Sequence, residues 1–299
     1  MVEIPGNFIR LTADREGERG EVWLAGLPAL ADDLLARWDC VPEGRVTHGK
    51  VGLVVPVRRA DGTPAVLKIS FTHPGNVHEP DAFAVWQGHG AVELYARDDA
   101  SFAMLLERAG PGTLADVTDA EEAVAIGGRV LRRLAVPAPP GLPRLAERAG
   151  EWAEELRKND ETLGRPLPRR VTDAALATVA ELCGDQPDTL VHGDLHHGNV
   201  LRAEREPWLA IDPKGYAGDP AYEAFTLVRR SLLDVIGADD LRTPVLRRID
   251  IFADAAGVDR ERARRWTQLR TVQSAHWGRL HGEQAWLVHL TERLAELLT

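Results

Sequence analysis

The residues with the clearest chemical pattern lie in LVHGDLHHGNVL, residues 190–201. His192, Asp194 and Asn199 occupy the fixed positions of an H-x-D-x-x-x-x-N spacing, and Asp212 follows at the end of the next apolar run. A carboxylate can accept the proton of an attacking hydroxyl, while an amide oxygen and a second carboxylate can hold Mg²⁺ on nucleotide phosphates. The set therefore indicates phosphoryl transfer, with Asp194 as base and with Asn199 and Asp212 as metal ligands.

Short strands have to hold these residues in place. Residues 189–191 form an apolar run that ends at His192-Gly193, where the glycine allows a tight turn. Val200 and Leu201 return the chain to the core. The apolar run 208–211 predicts another buried strand, which Asp212-Pro213 ends. Each acidic group is thus expected just beyond the end of a short strand.

A zinc site is a second interpretation of the same segment. His192, His196 and His197 lie close to Asp194 in sequence, and Zn²⁺ accepts both histidine and carboxylate ligands. However, no H-E-x-x-H helix or cysteine pair accompanies them. We therefore expect His192 to be structural, bonding backbone beneath the loop, and a metal-dependent hydrolase remains the weaker alternative.

Length and composition restrict the class of protein. A chain of 299 residues suits a bilobal enzyme. The net charge of −10 argues against a nucleic-acid binder, which needs a basic surface. No apolar stretch has the length of a membrane span, and the two cysteines form no disulfide framework. These features predict a cytoplasmic protein that binds neither nucleic acid nor membrane, and they indicate no oligomeric state.

Beyond the single motif, HGDLHHGNVL and IDPKGYAGDPAYE resemble the aminoglycoside phosphotransferase superfamily, most of all the branch with streptomycin 6-kinases and hydroxyurea kinases. Other segments resemble the same branch, so the likeness covers nearly the whole chain: 23–38, 53–69, 104–112 and 203–213. The resemblance implies an α+β, bilobal, protein-kinase-like fold. Residues 1–109 would form a small nucleotide-binding lobe with an antiparallel sheet. Residues 110–299 would form a larger, mainly helical lobe for catalysis and acceptor binding.

The resemblance also implies a nucleotide site in the first lobe. In AVLKIS, alternation places Val66 and Lys68 on one strand face, and the segment resembles the V-A-I-K strand of kinases. Lys68 would then reach the ATP phosphates, and Val66 would lie near the adenine. Backbone groups near Glu107 and Ala109 would bond the adenine at the hinge.

Glu79 is the positional match for the helix glutamate that pairs with the strand lysine of kinases. Pro80 follows it, and a residue before proline is biased away from helix. We therefore expect Glu79 at the start of a helix rather than inside one, which leaves the pairing with Lys68 open.

Lysine is rare in this arginine-rich chain, so each lysine is less readily explained as surface decoration. The chain has only four: Lys50, Lys68, Lys158 and Lys214.

The resemblance also implies an acceptor site between the helices that follow the metal-binding segment and the C-terminal helices. Tryptophan and glutamate side chains there could stack on and pair with guanidinium groups. A tryptophan stripe can equally be core, and a glutamate early in a helix can simply cap it. The candidate acceptor residues are Glu223, Asp234, Trp277, Glu283 and Trp286.

The reaction that the resemblance implies is Mg²⁺- and ATP-dependent O-phosphorylation of a small hydroxylated antibiotic. The most specific expectation is streptomycin 6-phosphorylation, which confers resistance and requires a cationic aminoglycoside as acceptor. Hydroxyurea, another aminoglycoside or an amino sugar remain as alternative acceptors. A kinase-like protein that binds ligand without turnover remains as an alternative of another class, and the choice of ATP over GTP stays open.

Overall fold

The computed structural model describes residues 2–231 and 240–299. The chain divides into two compact units, Met1–Gly110 and Pro111–Thr299. The division lies one residue from the boundary expected from the sequence, and the roles expected for the two lobes stay predictions. None of the described helices is long and apolar enough to cross a membrane.

The N-terminal unit is built on one antiparallel sheet with strand order β1-β3-β4-β6-β5, to which β2 adds by pairing with β3. Three helices accompany it. The elements are α1 (Gly6–Glu16), α2 (Glu18–Arg37), β1 (Cys40–Pro42), β2 (Thr47–His48), β3 (Gly52–Arg59), β4 (Pro64–Ser70), α3 (Glu79–Trp86), β5 (Leu94–Asp98) and β6 (Ala103–Glu107).

Strands β3 and β4 form the hairpin that carries Lys68. Asp61 and Gly62 make its turn: the Asp61 carboxylate accepts from the Thr63 N–H at 2.8 Å, and Gly62 has a φ of +84°. Such a φ favours glycine. Alternation along β4 then buries Leu67 in the core and leaves Lys68 on the opposite, half-buried face.

The apolar pattern of residues 18–38 predicts a helix that is interrupted at residues 26–28. The interruption is wrong, because helix α2 runs unbroken through Pro28. A proline inside a helix costs one hydrogen bond and adds a clash. The helix nevertheless buries a continuous stripe against the sheet, and we attribute its continuity to this burial. The stripe consists of Leu24, Leu27, Ala31, Leu34 and Leu35.

The C-terminal unit is mainly helical and has two short antiparallel strand pairs, β7 with β10 and β8 with β9. Its described elements are α4 (Ala120–Leu134), α5 (Ala149–Thr162), α6 (Arg169–Leu182), β7 (Thr189–Val191), β8 (Val200–Arg202), β9 (Trp208–Ala210), β10 (Tyr216–Gly218), α7 (Ala224–Ser231), α8 (Arg242–Ala256), α9 (Arg260–Leu280) and α10 (Ala285–Leu297).

The apolar periodicity of residues 260–298 predicts one helix, but the structure has two there, α9 and α10. The chain turns between them at Gly282, whose φ is +66°, and the Glu283 N–H donates to the Gly278 carbonyl at 2.8 Å. The sequence also predicts a helix over residues 220–236, with Asp219 as its N-cap and Pro220 in the first position. The segment begins as a short 3-10 turn, Pro220–Glu223, before α7, and residues 232–236 lie outside the described residues. Asp219 caps the turn by accepting the Ala221 N–H, with Pro220 in the first position as predicted.

Candidate active site

Two loops lie side by side at the ends of the short strand pairs. The catalytic loop, residues 192–199, links β7 to β8, and the metal loop, residues 211–215, links β9 to β10. The Ile211 N–H donates to the Asn199 carbonyl at 2.9 Å, and the Lys214 N–H donates to the His192 carbonyl at 2.7 Å. Backbone hydrogen bonds therefore fix the register of one loop against the other.

His192 holds both loops from below. Its ring is fully buried, with Nε2 2.8 Å from the Ile211 carbonyl oxygen and Nδ1 3.2 Å from the Asp194 backbone nitrogen. Burial lowers the pKa of His192 to about 3. A neutral ring can donate from Nε2 to the carbonyl and accept at Nδ1 from the Asp194 N–H. His192 thus has a structural position, as expected.

Gly193 allows the loops to approach this closely. Its φ is +86°, and a Cβ at this position would lie 2.7 Å from the Tyr216 ring and 2.9 Å from the Lys214 Cβ. Real side chains do not make such contacts with rigid neighbours. Only glycine therefore fits between Asp194 and the buried His192.

Asn199 and Asp212 lie on loops that a backbone hydrogen bond joins, and their role as metal ligands stays a prediction. The Asn199 Nδ2 donates to the Asp194 carbonyl at 3.0 Å, which commits the nitrogen side of the amide to the loop. Its Oδ1 is then the group available for a metal. Asp212 follows Ile211, which pairs with Asn199, and holds a left-handed φ of +59°. One amide oxygen and one carboxylate, completed by phosphate oxygens, suit Mg²⁺.

The zinc interpretation gains no support from the described residues. Within 2–231 and 240–299, no group of three or more histidine, cysteine or acidic side chains is arranged to hold a metal ion. His192 uses both ring nitrogens in the loop framework. The oxygen ligands of Asn199 and Asp212 instead fit a hard cation.

Asp194 lies in the catalytic loop, and its side chain is 38% exposed. Burial raises its pKa above the ordinary value, and the charges of His196 and Lys214 act in the opposite direction. A raised pKa makes a carboxylate a better proton acceptor from a hydroxyl. The position and the electrostatics of Asp194 thus suit a general base.

Glu223, a candidate acceptor contact from the sequence, lies beneath the catalytic loop instead. It is fully buried, and its two carboxylate oxygens accept the backbone N–H groups of Gly193 and Leu195, the latter at 3.1 Å. Burial raises the pKa of Glu223 to about 7. Glu223 therefore braces the catalytic loop rather than facing an acceptor.

Lys214 lies in the metal loop, and no role was predicted for it from the sequence. Its Nζ lies 3.4 Å from Oδ2 of Asp212 and 4.0 Å from Oδ2 of Asp194. The lysine thus places a positive charge beside both carboxylates. Its rarity in the chain was the one sequence feature that could have drawn attention to it.

In the N-terminal unit, Lys68 and Glu79 form an ion pair with Nζ 2.5 Å from Oε1. Helix α3 begins at Glu79 and has Pro80 in its first turn, as expected. Val66 lies half-buried on the same strand as Lys68.

The expected hinge follows β6 of the same unit. The Glu107 N–H donates to the Glu93 carbonyl at 2.8 Å, so that donor is committed within the sheet. Ala109 is half-buried in a segment without regular secondary structure. An adenine contact at the hinge therefore stays a prediction, and it would have to use groups other than the Glu107 N–H.

Two cavities open in the C-terminal unit. The first, of about 680 Å³, is lined by Asp194 and Trp286, together with Arg229, Arg230 and Arg270. Among its described lining residues, Asp194 is the one carboxylate. This part of the site is therefore less acidic than we expected for a cationic acceptor.

The second cavity, of about 710 Å³, is lined by Trp277 and Glu283. Trp277 is 54% exposed and stacks on His281 with ring centroids 4.4 Å apart. The two cavities share three lining residues, Phe225, Arg229 and Arg270. Asp234, the remaining acceptor candidate, lies outside the described residues.

The sequence matches a family model described as aminoglycoside/hydroxyurea antibiotic resistance kinase over residues 37–282. A streptomycin 6-kinase of Streptomyces glaucescens is 41% identical over 279 residues, which covers 93% of this chain and 91% of the relative. A hydroxyurea phosphotransferase of Kitasatospora aureofaciens is 38% identical over 95% of this chain and 83% of the relative. A streptomycin 3''-kinase of Klebsiella pneumoniae is 31% identical over 81% of this chain and 90% of the relative.

Solved structures share the fold at low identity. A choline kinase from Streptococcus pneumoniae superposes with a TM-score of 0.56 at 13% identity, covering 91% of this chain and 98% of that chain. A macrolide 2'-phosphotransferase from Brachybacterium faecium gives a TM-score of 0.54 at 18% identity, covering 92% and 98%. The predicted α+β, kinase-like fold class is thereby confirmed.

Proposed function

Because the chain belongs to the aminoglycoside/hydroxyurea antibiotic resistance kinase family, we propose that it transfers the γ-phosphoryl group of ATP to the 6-hydroxyl of streptomycin and so confers resistance. The observation that carries the proposal is the 41% identity to a streptomycin 6-kinase over 93% of the chain. We place the reaction in the cytoplasm, where ATP is available.

The proposed chemistry uses three residues of the two loops: Asp194, Asn199 and Asp212. The acceptor oxygen attacks the γ-phosphorus, the bond to the β–γ bridging oxygen breaks, ADP leaves, and the hydroxyl proton passes to Asp194. Asn199 and Asp212 would hold Mg²⁺, which neutralises phosphate charge when bound. Glu223 keeps Asp194 in place through the backbone of the loop.

In the N-terminal unit, Lys68 would bind the α- and β-phosphates, oriented by its ion pair with Glu79. Val66 would contact the adenine, with backbone bonds from the hinge near Glu107 and Ala109. A structural neighbour supports nucleotide use, since the Streptococcus pneumoniae choline kinase has also been solved in complex with AMP.

Cavity volume favours streptomycin over hydroxyurea as the acceptor. Hydroxyurea has only a handful of non-hydrogen atoms, whereas pockets of about 300–1,000 Å³ suit drug-sized ligands. The cavity beside Asp194 measures about 680 Å³, and a second of about 710 Å³ adjoins the same three residues. A three-ring antibiotic can use both volumes.

The positions of the two cavities suggest how streptomycin would lie. The phosphorylated ring would enter the first cavity, with Trp286 at its wall. The remaining rings would extend past Phe225 into the second cavity, where Trp277 offers an exposed stacking face and Glu283 a carboxylate. In this arrangement, a cationic group outside the phosphorylated ring pairs with Glu283.

An acceptor panel tests the proposal. Purified protein with MgATP would be incubated with streptomycin, hydroxyurea and an amino sugar, and kcat/KM would be compared by ADP release and product mass. We expect streptomycin to be the best substrate and to gain one phosphate. Preference for hydroxyurea, which the 38% identity to a hydroxyurea phosphotransferase makes the second candidate, would overturn the substrate assignment but not the kinase chemistry. Absence of phosphorylated product from every acceptor would overturn both.

A further inference from the structure

Lys214 stands between the two carboxylates that the proposed chemistry needs. Its Nζ is 3.4 Å from Oδ2 of Asp212 and 4.0 Å from Oδ2 of Asp194, and its side chain is 24% exposed. The first carboxylate is the proposed metal ligand and the second is the proposed base. The ammonium therefore lies where the metal-bound phosphate and the acceptor hydroxyl must meet.

The backbone of Lys214 is fixed while its charged end can move. Its N–H donates to the His192 carbonyl at 2.7 Å, and its Cβ packs directly against Gly193. The side chain beyond Cβ is a flexible stem with a compact charge and three rotatable donors. Lys214 can thus follow a moving group without disturbing either loop.

A plain surface ion pair does not explain this residue well. Partly exposed ion pairs contribute little to stability. This chain makes most of its described ion pairs with arginine; among the described residues, the lysines that form them are Lys68 and Lys214. Lys68 belongs to the proposed phosphate site. Among the described residues, the other lysine that forms ion pairs is Lys214, which lies between Asp194 and Asp212.

We propose that Lys214 is a catalytic residue whose ammonium donates to non-bridging oxygens of the phosphoryl group during transfer from ATP to the acceptor. Asp194 must lie within hydrogen-bond reach of the acceptor hydroxyl, and that hydroxyl oxygen bonds the phosphorus. An ammonium 4.0 Å from the Asp194 carboxylate is then within reach of the phosphoryl oxygens. Charge spreads over these oxygens in the transition state, where an ammonium donor beside them stabilises it most.

The inference rests on the kinase chemistry but not on the identity of the acceptor. Lys214 forms and breaks no covalent bond, and the proton still passes to Asp194. The contact between Lys214 and the phosphoryl oxygens strengthens only while the phosphoryl group lies between the leaving oxygen of ADP and the attacking oxygen of the acceptor. Loss of Lys214 should therefore affect the transition state more than it affects nucleotide binding. Binding of ADP, which lacks that group, should depend little on Lys214.

The test uses Lys214→Met and Lys214→Arg in the full chain. MgADP binding would be measured by calorimetry, alone and with fluoroaluminate, which mimics the planar phosphoryl group. We expect Lys214→Met to retain MgADP affinity, to lose the tightening that fluoroaluminate gives the wild type, and to lower kcat by about 10²–10³-fold. Lys214→Arg should recover part of both effects, since it keeps the charge in a different geometry.

Lys158→Met is the matched control, because Lys158 is exposed on α5 and forms no described ion pair. It should bind MgADP and fluoroaluminate as the wild type does. Full tightening in Lys214→Met would overturn the proposal. So would an equal loss of affinity for MgADP with and without fluoroaluminate, since that result would mean that Lys214 only positions Asp212. If the wild type shows no tightening, kcat decides, and a near-normal kcat in Lys214→Met would then overturn the proposal.

Discussion

The Nζ of Lys68 lies 2.5 Å from Oε1 of Glu79, which is the first residue of helix α3. Pro80 in the first turn places Glu79 at the helix start but does not prevent the contact, because the glutamate side chain reaches from there to strand β4. Both side chains are largely withdrawn from solvent, with 12% and 1% exposure. The pair therefore orients the lysine that we assign to the ATP phosphates.

The ion pair predicts that Lys68 and Glu79 act as one unit. Lys68→Ala should raise KM for ATP and lower kcat, with little change in KM for the acceptor. Glu79→Gln should shift the same two constants in the same direction, because the lysine loses its orienting charge. The double variant should lose less than the sum of the single losses. Additive losses in steady-state kinetics would mean that the pair is not functional.

Asp194→Ala should abolish most turnover while leaving the fold and MgATP binding intact. Loss of a positioned base costs about 10²–10⁴-fold in rate. Nucleotide affinity should change little, since the proposed phosphate and metal contacts lie on other residues. Single-turnover kinetics measures the loss of rate, and calorimetric titration with MgATP measures the nucleotide affinity. Near-normal kcat in the variant would remove Asp194 from the mechanism.

Asp212→Asn should weaken Mg²⁺ and nucleotide binding together, because the carboxylate supplies the protein's negative charge to the metal. A titration of rate against Mg²⁺ at fixed ATP should move to higher metal concentration. Asp254→Asn, a change at an exposed acid on α8, provides the control. An unchanged titration curve in Asp212→Asn would restrict that residue to a structural position after β9.

Glu223 predicts a pH dependence of stability. Its pKa is raised from 4.5 to about 7 by burial, so the folded protein holds a proton that the unfolded chain releases between these values. The contribution of Glu223 to stability is fully present below about 4.5 and is lost as the pH rises through 7. Glu223→Gln should remove this decline from urea unfolding curves measured between pH 5 and pH 8. The exposed Glu204→Gln should keep it, and a decline that persists in Glu223→Gln would assign it to other groups.

Trp277 and Trp286 are both exposed, and we expect each to contribute separately to acceptor binding. Trp286→Ala and Trp277→Ala should each raise KM for streptomycin without changing KM for ATP, and Glu283→Gln should do the same. Rising salt should also weaken streptomycin binding, since a partly exposed charge pair is screened. Measured KM values at two ionic strengths check this. If only Trp286→Ala has an effect, the second cavity is not part of the acceptor site.

Local spacing was enough to predict which loop residues lie near one another, and their roles stay predictions. Asp194, Asn199 and Asp212 lie within two short loops, so the motif itself places them. The contact between Glu223 and the backbone of the catalytic loop joins residues 28 or 30 positions apart. No periodicity or motif reports such a contact, because it exists only once the loop and the following turn have packed together.

The break between α9 and α10 shows a similar limit. Apolar periodicity continues on both sides of Gly282, so residues 260–298 favoured one helix. One glycine is tolerated in many helices, and only the packing of α10 back against α9 decides that the chain turns here. The arginines beside Asp194 could not be predicted either, since they come from α7 and α9, which are distant in sequence.

The most direct test of the central claim is the position of phosphate on streptomycin. The product of the purified protein with MgATP would be examined by two-dimensional phosphorus–proton NMR, with Asp194→Ala as the blank. We predict a single phosphorus signal coupled to the proton at position 6 of the streptidine ring, and no such signal with the variant. A phosphate at the 3'' position, as the name of the Klebsiella pneumoniae relative would suggest, or unmodified streptomycin would contradict the assignment.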